Sequence, residues 1–335
     1  MKKIKFMDFC AGIGGGRVGL EQTGMECVAH SEIDTETAFL YSKVYEDDRN
    51  FGDLTKINKS ELPDFDLLIS GFPCQTFSIV GKRKGFDDDR GLIINHLVDI
   101  LTYKDVPYFI FENVKGLVNH DKGRTFRTIL NMLDIAGYNV RHQVVNSLDF
   151  GIPQMRERIY IVGWKKELNL NFSFPKKREP KPLSEYLTIN DGRELPLNDA
   201  TFKKYLGNKY NKDRVNIKSV LEKDFQVVDT RQSDLRVYEN KIPTLRTSRH
   251  GILYTKNKKL KRITSFEAML LQGLPLEIAK KTQRFGLSET KLLSIAGNAM
   301  TASVVAGIGS ELIKAINREN PSNTYLQGEQ LCLVH

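Results

Sequence analysis

The feature that most constrains the fold is an alternation of short apolar segments with helix-forming segments. The apolar segments have the length and composition of buried parallel strands; they are residues 4–9, 27–30, 65–70, 108–111 and 159–163. Residues 17–22 and 92–101 have helical spacing, and a last amphipathic helix spans Val304 to Ile316. Strands separated by helices predict an α/β fold with a doubly wound, mostly parallel sheet.

A glycine-rich turn, Ala11–Gly16, lies between the first strand and the first helix, where doubly wound folds bind nucleotides. Arg17 stands where a dinucleotide fingerprint has its last glycine, which disfavours NAD or FAD. Glu32 follows the second strand, 20 residues after Gly12, where an acid accepts hydrogen bonds from ribose hydroxyls. Asp53 is a candidate for the adenine end. A glycine turn alone also suits an ordinary loop, but the added acid favours an adenosine-containing cofactor.

The positive charge of the chain is concentrated in one insert. The 335 residues carry a net charge of +9, but residues 165–262 hold 24 Lys and Arg against 12 Asp and Glu. The character changes near Lys176, and helical patterning returns at the capping-box spacing of Thr264 and Glu267. We expect one domain from 1–183 plus 264–335 and a smaller, mostly irregular or β domain from 184–263. The insert is a candidate polyanion-binding surface; a solvated basic surface is the alternative.

Several protein classes are disfavoured by composition. The sequence has no apolar run approaching the roughly 18 residues of a membrane helix, and its basic start reaches Asp8 before any signal-peptide core. Its four cysteines lie far apart without a Cys-x-x-Cys pair, which argues against a structural zinc site or a disulfide framework. We therefore expect a soluble protein of a reducing cytoplasm, without a metal and not bound to a membrane.

Three polar groups follow predicted strands. Cys74 lies in Gly71–Ser78 after a buried strand, Glu112 ends the next strand, and Arg156 and Arg158 precede another. A lone cysteine is usually a small buried hydrophobe, but the flanking Pro73 and Gln75 do not suit a strand interior. Alternate strand residues share a face, so the two arginines can point into one site. The set supplies a nucleophile, an acid and an anion-stabilising pair.

The motifs together resemble one enzyme family. Asp8–Gly16, Gly71–Ser78, Glu112-Asn113-Val114, Gln154–Arg158 and Gly297-Asn298 occur in this order over nearly the whole chain. They resemble the DNA (cytosine-5) methyltransferase family, most closely its compact bacterial restriction–modification type. The basic insert falls where that family carries its target-recognition domain. This resemblance implies methyl transfer to C5 of cytosine in a short specific sequence of double-stranded DNA.

The resemblance also implies S-adenosyl-L-methionine as cofactor, with S-adenosyl-L-homocysteine as product. Two positions depart from the family pattern, since Cys10 replaces a phenylalanine beside the adenine and Ile33 replaces a tryptophan; both changes would loosen cofactor stacking. The implied cofactor-binding residues are Cys10, Ala11, Gly12, Gly14, Glu32, Ile33, Asp53, Leu54, Pro73, Asn298 and Ala299.

The chemistry explains the residue types. A Cys74 thiolate adding at C6 of cytosine makes the ring electron-rich at C5. Glu112 would hold N3 and the exocyclic amine, and Arg158 would bind O2. Arg156 would help position the Cys74 loop and Glu112. Because C5 lies inside the duplex stack, the base must be flipped out.

DNA contacts are expected from the loop after Cys74 and from the insert. The stretch from Pro243 to Gly251 resembles the Thr-Leu recognition segment of the family, and the arginines near it can reach base edges in the major groove. The candidate DNA-binding residues are Gln75, Ser78, Lys82, Arg83, Arg90, Gln154, Arg231, Gln232, Arg236, Thr244, Arg246 and Arg249. The partner would be double-stranded DNA, and the enzyme a monomer.

Two alternatives share parts of this pattern. A transfer-RNA cytosine-5 methyltransferase of the same fold would carry a Cys-Phe-Thr signature in its recognition region, and the sequence has none there. A non-catalytic DNA-binding homologue would be expected to lose Cys74 or Glu112, and both residues are present.

Overall fold

The computed structural model describes residues 3–73, 93–187, 191–248, 250–319 and 325. Its central sheet has the strand order β2-β1-β3-β4-β7-β5. In this sheet β7 alone runs in the opposite direction, antiparallel to both β4 and β5, which confirms the expected mostly parallel α/β sheet. These strands are β1 Lys5–Phe9, β2 Glu26–Ser31, β3 Leu67–Ser70, β4 Tyr108–Val114, β5 Tyr138–Asn146 and β7 Glu157–Lys165, with the short β6 Gln154–Met155 before β7.

Helices cover both faces of this sheet, because successive strand residues point to opposite sides. Ile110 packs on the face covered by α1 and α11, whereas Phe109 and Phe111 pack on the face covered by α3 and α4. The helices are α1 Gly15–Glu21, α2 Thr35–Tyr45, α3 Ile93–Tyr103, α4 Arg124–Ile135, α5 Ser184–Leu187, α6 Ala200–Leu206, α7 Ile217–Leu221, α8 Ser265–Leu270, α9 Leu276–Thr282, α10 Glu289–Asn298 and α11 Ala302–Glu319.

The glycines of the first turn allow α1 to pack closely against the start of α11. A Cβ atom on Gly15 would lie 2.2 Å from the carbonyl oxygen of Met300, and one on Gly19 would lie 2.5 Å from Cβ of Val305. Gly14 has a φ of 80°, and its Cβ would meet the Tyr45 hydroxyl at 2.7 Å. Gly15 and Gly19 are therefore needed for packing, because a larger residue at either position would push α1 away from α11.

A second, antiparallel sheet is formed between residues 193 and 262, with the strand order β10-β9-β12-β13-β8. One face packs on a small core with α6 and α7, and the other shares a core with α5, α8 and α10. Its strands are β8 Arg193–Glu194, β9 Gln226–Asp229, β10 Arg236–Glu239, β12 Ile252–Lys256 and β13 Lys259–Arg262, and the separate β11 Ile242–Pro243 pairs in parallel with β6. We call residues 193–262 the small domain; the boundaries 183/184 and 263/264 stay a prediction.

One helical segment has a window apolar enough to cross a membrane by composition, which the sequence analysis did not recognise. It is Glu289–Glu319, which contains α10 and α11, and 83% of its most apolar window is buried inside the protein. Val304, Val305 and Ile308 pack against the central sheet. In this protein the segment is part of the hydrophobic core.

The expected capping box at α8 is confirmed, and it encloses a buried carboxyl group. Glu267 is fully buried; it accepts hydrogen bonds from the Thr264 amide at 2.8 Å and from the Tyr254 hydroxyl at 2.8 Å. Burial raises the pKa of Glu267 from 4.5 to about 7, against the opposing effect of these hydrogen bonds. Tyr254 lies on β12, so this carboxyl group joins α8 to the small domain.

We predict that Glu267 makes the protein less stable as pH rises from about 4.5 to 7. In that range the folded state keeps a proton that the unfolded chain releases, so stability falls with pH. Glu267→Gln stays neutral and keeps the capping geometry. Denaturant unfolding at pH 5 and pH 8 should show a smaller loss for the variant, by on the order of 1–3 kcal/mol. Glu277→Gln, exposed on α9, is the control; equal losses in all three proteins would contradict the prediction.

Candidate active site

A cleft of about 370 Å³ opens at the carboxyl ends of β1, β2 and β3. The chain passes from β1 to β2 on one side, and β3 lies on the other side of β1. This reversal of strand order is where open α/β sheets bind ligands. The residues that line the cleft are Cys10, Ala11, Gly12, Ser31, Glu32, Ile33, Asp34, Thr37, Gly52, Asp53, Leu54, Gly71, Pro73, Ile93, Lys291, Ser294, Ile295, Asn298, Ala299 and Met300.

Of the expected cofactor residues, all but Gly14 line this cleft. Gly14 instead shapes the turn against Tyr45. Arg17, at the position that disfavoured NAD, bonds Asp47 at 2.7 Å and Glu21 at 2.9 Å. It is not among the lining residues.

Glu32 shapes the cleft as well as lining it. Its Oε2 accepts a hydrogen bond from the Gly12 amide at 2.8 Å, and its Oε1 accepts one from the Asp34 amide at 2.9 Å. Each carboxylate oxygen keeps a further lone pair for a ligand hydroxyl. Gly12 has a φ of 56°, and a Cβ atom there would meet open space. The missing side chain leaves room beside the carboxylate.

The lining suits a nucleoside-containing cofactor. Glu32, Asp53 and Asn298 supply polar groups for hydroxyls and ring nitrogens, and Ile33 and Leu54 supply apolar surface for a flat base. Ile33 is 66% exposed, so its side chain is open to a ligand. Asp53 Oδ1 already accepts hydrogen bonds from the Thr55 amide and hydroxyl, which fix its orientation.

Lys291 is a lining residue that the sequence analysis missed. Its Nζ lies 2.7 Å from Asp34 Oδ1 and 3.0 Å from Glu36 Oε2, so α10 is tied to the start of α2. Burial alone would raise the pKa of Asp34, but hydrogen bonds from Lys291 and Thr37 bring it down to about 2. Nothing in the local sequence marks Lys291, because its partners lie more than 250 residues away.

The predicted acid and one predicted arginine form a pair beside the cleft. Arg158 Nε lies 3.1 Å from Glu112 Oε1, and both side chains are at most 15% exposed. In the register of β4 and β7, Arg158 faces Val114 and Tyr160 faces Glu112, so all four side chains lie on one face. A carboxyl group and a guanidinium held together here can bind two neighbouring atoms of one ring.

The chain that leads to Cys74 is held at this pair. The Asn113 side chain donates a hydrogen bond to the Phe72 carbonyl at 2.9 Å. A Cβ atom on Gly71 would lie 3.6 Å from Glu112 Oε2. The segment just before Cys74 thus adjoins both Glu112 and the cleft. Seven predicted residues lie outside the described part of the chain: Cys74, Gln75, Ser78, Lys82, Arg83, Arg90 and Arg249.

Arg156 takes a position different from the one expected. Its guanidinium donates to the carbonyls of Leu245 at 3.2 Å, Gly297 at 3.1 Å and Ala299 at 2.8 Å, and not to the Glu112 carboxylate. The residue is 2% exposed. Burial lowers its pKa to about 10, with a further contribution from the positive charge of Arg158. Arg156 therefore joins the cleft to the recognition segment.

Gln154 is likewise buried and does not face solvent, although we expected it to contact DNA. Its Oε1 accepts a hydrogen bond from the Leu245 amide at 3.0 Å, and its Nε2 donates to the Leu271 carbonyl at 2.8 Å. Thr244 donates from its hydroxyl to the Met155 carbonyl at 2.6 Å. The segment 244–245 is thus bonded to three successive residues, 154–156, which lead into β7.

The other predicted recognition residues divide by exposure. Arg246 is exposed, Gln232 is half-buried, and Arg236 is exposed while paired with Asp234 at 3.0 Å. Arg231, in contrast, has a side chain that is only 2% exposed. The backbone of Arg246 packs against the cleft region, because a Cβ atom on Gly297 would lie 2.5 Å from the Arg246 carbonyl carbon.

The cleft at the switch point of a doubly wound sheet, with a carboxylate–arginine pair next to it, is the arrangement of an enzyme that can bring a bound cofactor to a second substrate. A family model described as C-5 cytosine-specific DNA methylase matches residues 4–314. The chain belongs to this family, as its sequence motifs indicated, and it is a DNA (cytosine-5)-methyltransferase. The family and the fold imply S-adenosylmethionine as cofactor.

Full-length relatives and solved structures agree with this assignment. The Type II methyltransferase M.HaeII of Haemophilus aegyptius is 35% identical over 320 residues, which cover 95% of each chain. The Type II methyltransferase M.Bsp6I of Bacillus sp. (strain RFL6) is 36% identical and covers 93% of this chain and 99% of its own. The Entamoeba histolytica methyltransferase EhMeth shares the fold, with a TM-score of 0.68 at 19% identity over 95% of this chain and 99% of its own.

We predict that Arg156→Lys destabilises the protein by roughly 1–3 kcal/mol, because one ammonium group cannot reach all three buried carbonyls. Denaturant unfolding at neutral pH measures the effect. Arg124→Lys is the control, since Arg124 pairs with Asp121 on the surface with its side chain 69% exposed. If Arg156→Lys were as stable as the control, Arg156 would not hold these segments together.

Proposed function

We propose that the cleft binds S-adenosylmethionine through the residues that line it. Glu32 would accept hydrogen bonds from the ribose hydroxyls, and Asp53 would face the adenine. The apolar side chains of Ile33 and Leu54 support this placement of the base, since both line the cleft. The remaining proposed contacts are Cys10, Ala11, Gly12, Pro73, Asn298 and Ala299, all of which line the cleft, with Gly14 acting through the shape of the turn.

Cys74 is proposed as the nucleophile. Its thiolate would form a bond to C6 of the cytosine, which moves the ring electrons towards C5. S-adenosylmethionine would supply an electrophilic methyl group, which bonds to C5 as its bond to sulfur breaks and S-adenosylhomocysteine leaves. Removal of the C5 proton by a base then lets the Cys74 thiolate leave. The neighbouring positive charges of Arg156 and Arg158 would favour the thiolate.

Glu112 and Arg158 are proposed to bind the ring during this reaction. Glu112 would share a proton with N3, so that negative charge does not build up on the ring when the thiolate adds. Arg158 would bind O2 beside it. The 3.1 Å distance between Arg158 Nε and Glu112 Oε1 supports this assignment. N3 and O2, which is carried by the neighbouring ring carbon, lie side by side on one edge of cytosine. Arg156 is a positioning residue in this scheme.

One observation carries the proposal. Gly71 lines the cofactor cleft and also lies beside Glu112 Oε2, and Phe72 is bonded to Asn113. The proposed cofactor cleft, the two residues that precede the nucleophile segment and Glu112 therefore lie next to one another. A methyl group and a ring bound at these two places would be neighbours, as group transfer requires.

We propose that the small domain recognises the DNA sequence and that the target base is flipped out of the duplex. Its excess of basic side chains supports phosphate contacts. The exposed or half-buried Gln232, Arg236 and Arg246 are the proposed base-reading residues, with Arg249 in the same segment. The proposed contacts near the nucleophile are Gln75, Ser78, Lys82, Arg83 and Arg90.

The biological setting follows from the relatives. Several full-length relatives are named Type II methyltransferases, which supports protection of host DNA in a restriction–modification system. A bacterial cytoplasmic location and a monomeric enzyme are part of this proposal. The match to a family model described as a DNA methylase supports DNA rather than transfer RNA as substrate.

For the cofactor, we predict that Glu32→Gln weakens S-adenosylmethionine binding by about tenfold or more. The Gln amide nitrogen replaces one of the two accepting oxygens, so one of the two backbone N–H groups loses its acceptor and both the turn and the ribose contact suffer. Calorimetric titration without DNA measures the dissociation constant. Glu26→Gln is the control, because Glu26 is exposed at the opposite end of the same strand. Unchanged affinity in Glu32→Gln would refute the assigned role.

For the nucleophile, we predict a covalent adduct with duplex DNA that contains 5-fluorocytosine, because fluorine at C5 cannot leave as a proton. Denaturing electrophoresis should show the adduct for the wild type and for Cys27→Ala, whose cysteine is buried in the core. It should be absent in Cys74→Ser. Glu112→Gln should still bind DNA but lose about 10²–10⁴-fold in activity. An adduct formed by Cys74→Ser would assign the nucleophile elsewhere.

A further inference from the structure

Arg231 is held inside the small domain by a two-pronged ion pair. Its Nε and Nη2 lie 2.8 and 2.9 Å from the two carboxylate oxygens of Asp229. Its Nη1 donates to the Thr244 carbonyl at 2.6 Å. The two charged side chains are 2% and 4% exposed. A guanidinium engaged on both sides in this way presents no free edge to a base in this structure.

The bridge connects two separate segments that carry proposed base-reading residues. Asp229 ends β9, and the loop 230–235 that follows it carries Gln232. Thr244 begins the segment 244–248, which carries Arg246. Thr230 strengthens the connection, because its amide and its hydroxyl both donate to the Gly251 carbonyl, at 2.8 and 2.9 Å.

The far end of the loop 230–235 is fixed as well. The Leu235 amide donates to the buried Asn211 side chain at 2.5 Å, and Asn208 donates to the Ser233 carbonyl at 3.5 Å. Asn211 follows α6 and is 3% exposed. Gln232 thus stands between two anchored ends of a short loop, and its position depends on both anchors.

Thr244 and Leu245 are anchored to the catalytic part of the protein, Thr244 through the Met155 carbonyl and Leu245 through the Gln154 side chain. The loop 230–235 therefore has a defined position relative to the strand that carries Arg158. Reading a base edge by paired hydrogen bonds requires side chains placed to within about 0.5 Å. A buried bidentate ion pair gives such a fixed spacing.

We propose that the Asp229–Arg231–Thr244 bridge is a positioning device that sets the spacing of the two recognition loops and thereby determines sequence specificity without contacting a base. This inference rests on the proposed role of the small domain in DNA recognition. It assigns Arg231 a different role from that of Arg246: loss of the bridge shifts a whole loop, whereas loss of a base-reading side chain affects the base pair that it contacts.

The test compares Arg231→Lys and Asp229→Asn with Asp64→Asn. Asp64 also pairs with a cation, Lys104 at 2.7 Å, but it is exposed and precedes the amino end of β3, whereas the cleft lies at the carboxyl end of that strand. Bisulfite sequencing of DNA from cells that express the wild type first identifies the methylated sequence. Binding is then measured to that duplex, to every single base-pair variant of it and to unrelated duplex, at several salt concentrations.

For both bridge variants we expect discrimination to fall about tenfold at two or more base pairs. Binding to unrelated duplex and the salt dependence should stay at the wild-type values, because the charges that meet phosphates are unchanged. Wild-type S-adenosylmethionine affinity and a wild-type melting temperature would show that the loss of discrimination is not caused by general unfolding. Asp64→Asn should behave as the wild type throughout. If Arg231→Lys unfolds, Thr230→Val removes only one hydrogen bond to Gly251 and should relax the same base pairs.

Three outcomes would overturn the proposal. A change at one base pair in Arg231→Lys, with none in Asp229→Asn, would make Arg231 a base-reading residue. Equal weakening on all duplexes with a smaller salt slope would make it a phosphate contact. Folded variants with wild-type specificity would leave the pair a purely structural one. A wild-type enzyme that binds all duplexes alike would instead refute the proposed recognition function itself.

Discussion

The buried guanidinium of Arg156 holds together the three parts of the site. It has no carboxylate partner among the described residues, and three backbone carbonyls from two distant segments, at 245 and at 297–299, surround it. Burying a charge is costly unless hydrogen bonds compensate for it, and oriented carbonyl dipoles supply that compensation here. The buried charge is compensated only when the segment of Arg156, the segment of Leu245 and the segment 297–299 are all in place, so their correct assembly is a condition for a stable core.

These three segments belong to different functional parts of the protein, and Arg156 joins the parts by hydrogen bonds to their backbone. Ala299 lines the proposed cofactor cleft, Leu245 lies in the recognition segment, and β7, which follows Arg156, brings Arg158 to Glu112. Gly297 completes the contact, since its missing Cβ lets the Arg246 backbone approach the cleft wall. A displacement of the recognition segment therefore acts on the cleft through van der Waals contact and hydrogen bonds, without any intervening flexible linker among these described residues.

The small domain is also attached to the rest of the protein by buried contacts. Its sheet shares one hydrophobic core with α8 and α10, and Tyr254 bonds the buried Glu267 across that junction. The short pairing of β11 with β6 adds a backbone connection. The loop that carries Gln232 is thus fixed at both ends, Arg236 begins β10, and Arg246 directly follows the anchored residues 244–245. This suits recognition better than a mobile arm would.

Local sequence determined five of the six strands of the central sheet, all but β5, together with the capping box at Thr264 and the polar residues at strand ends. Alternation, helix capping and strand-end position are encoded by near neighbours. Motif order likewise indicated the family and the residues that line the cleft. Tertiary structure alone decided which polar side chains face a ligand and which hold the chain together. Gln154, Arg156 and Arg231 are residue types suited to contacts with DNA or substrate, yet their side chains are buried. They bond to Leu245, Ala299 and Thr244, which lie 91, 143 and 13 residues away. Lys291 reaches the cleft from 257 residues beyond Asp34. Hydrogen-bond partners at such separations are selected by packing, and no local pattern records them.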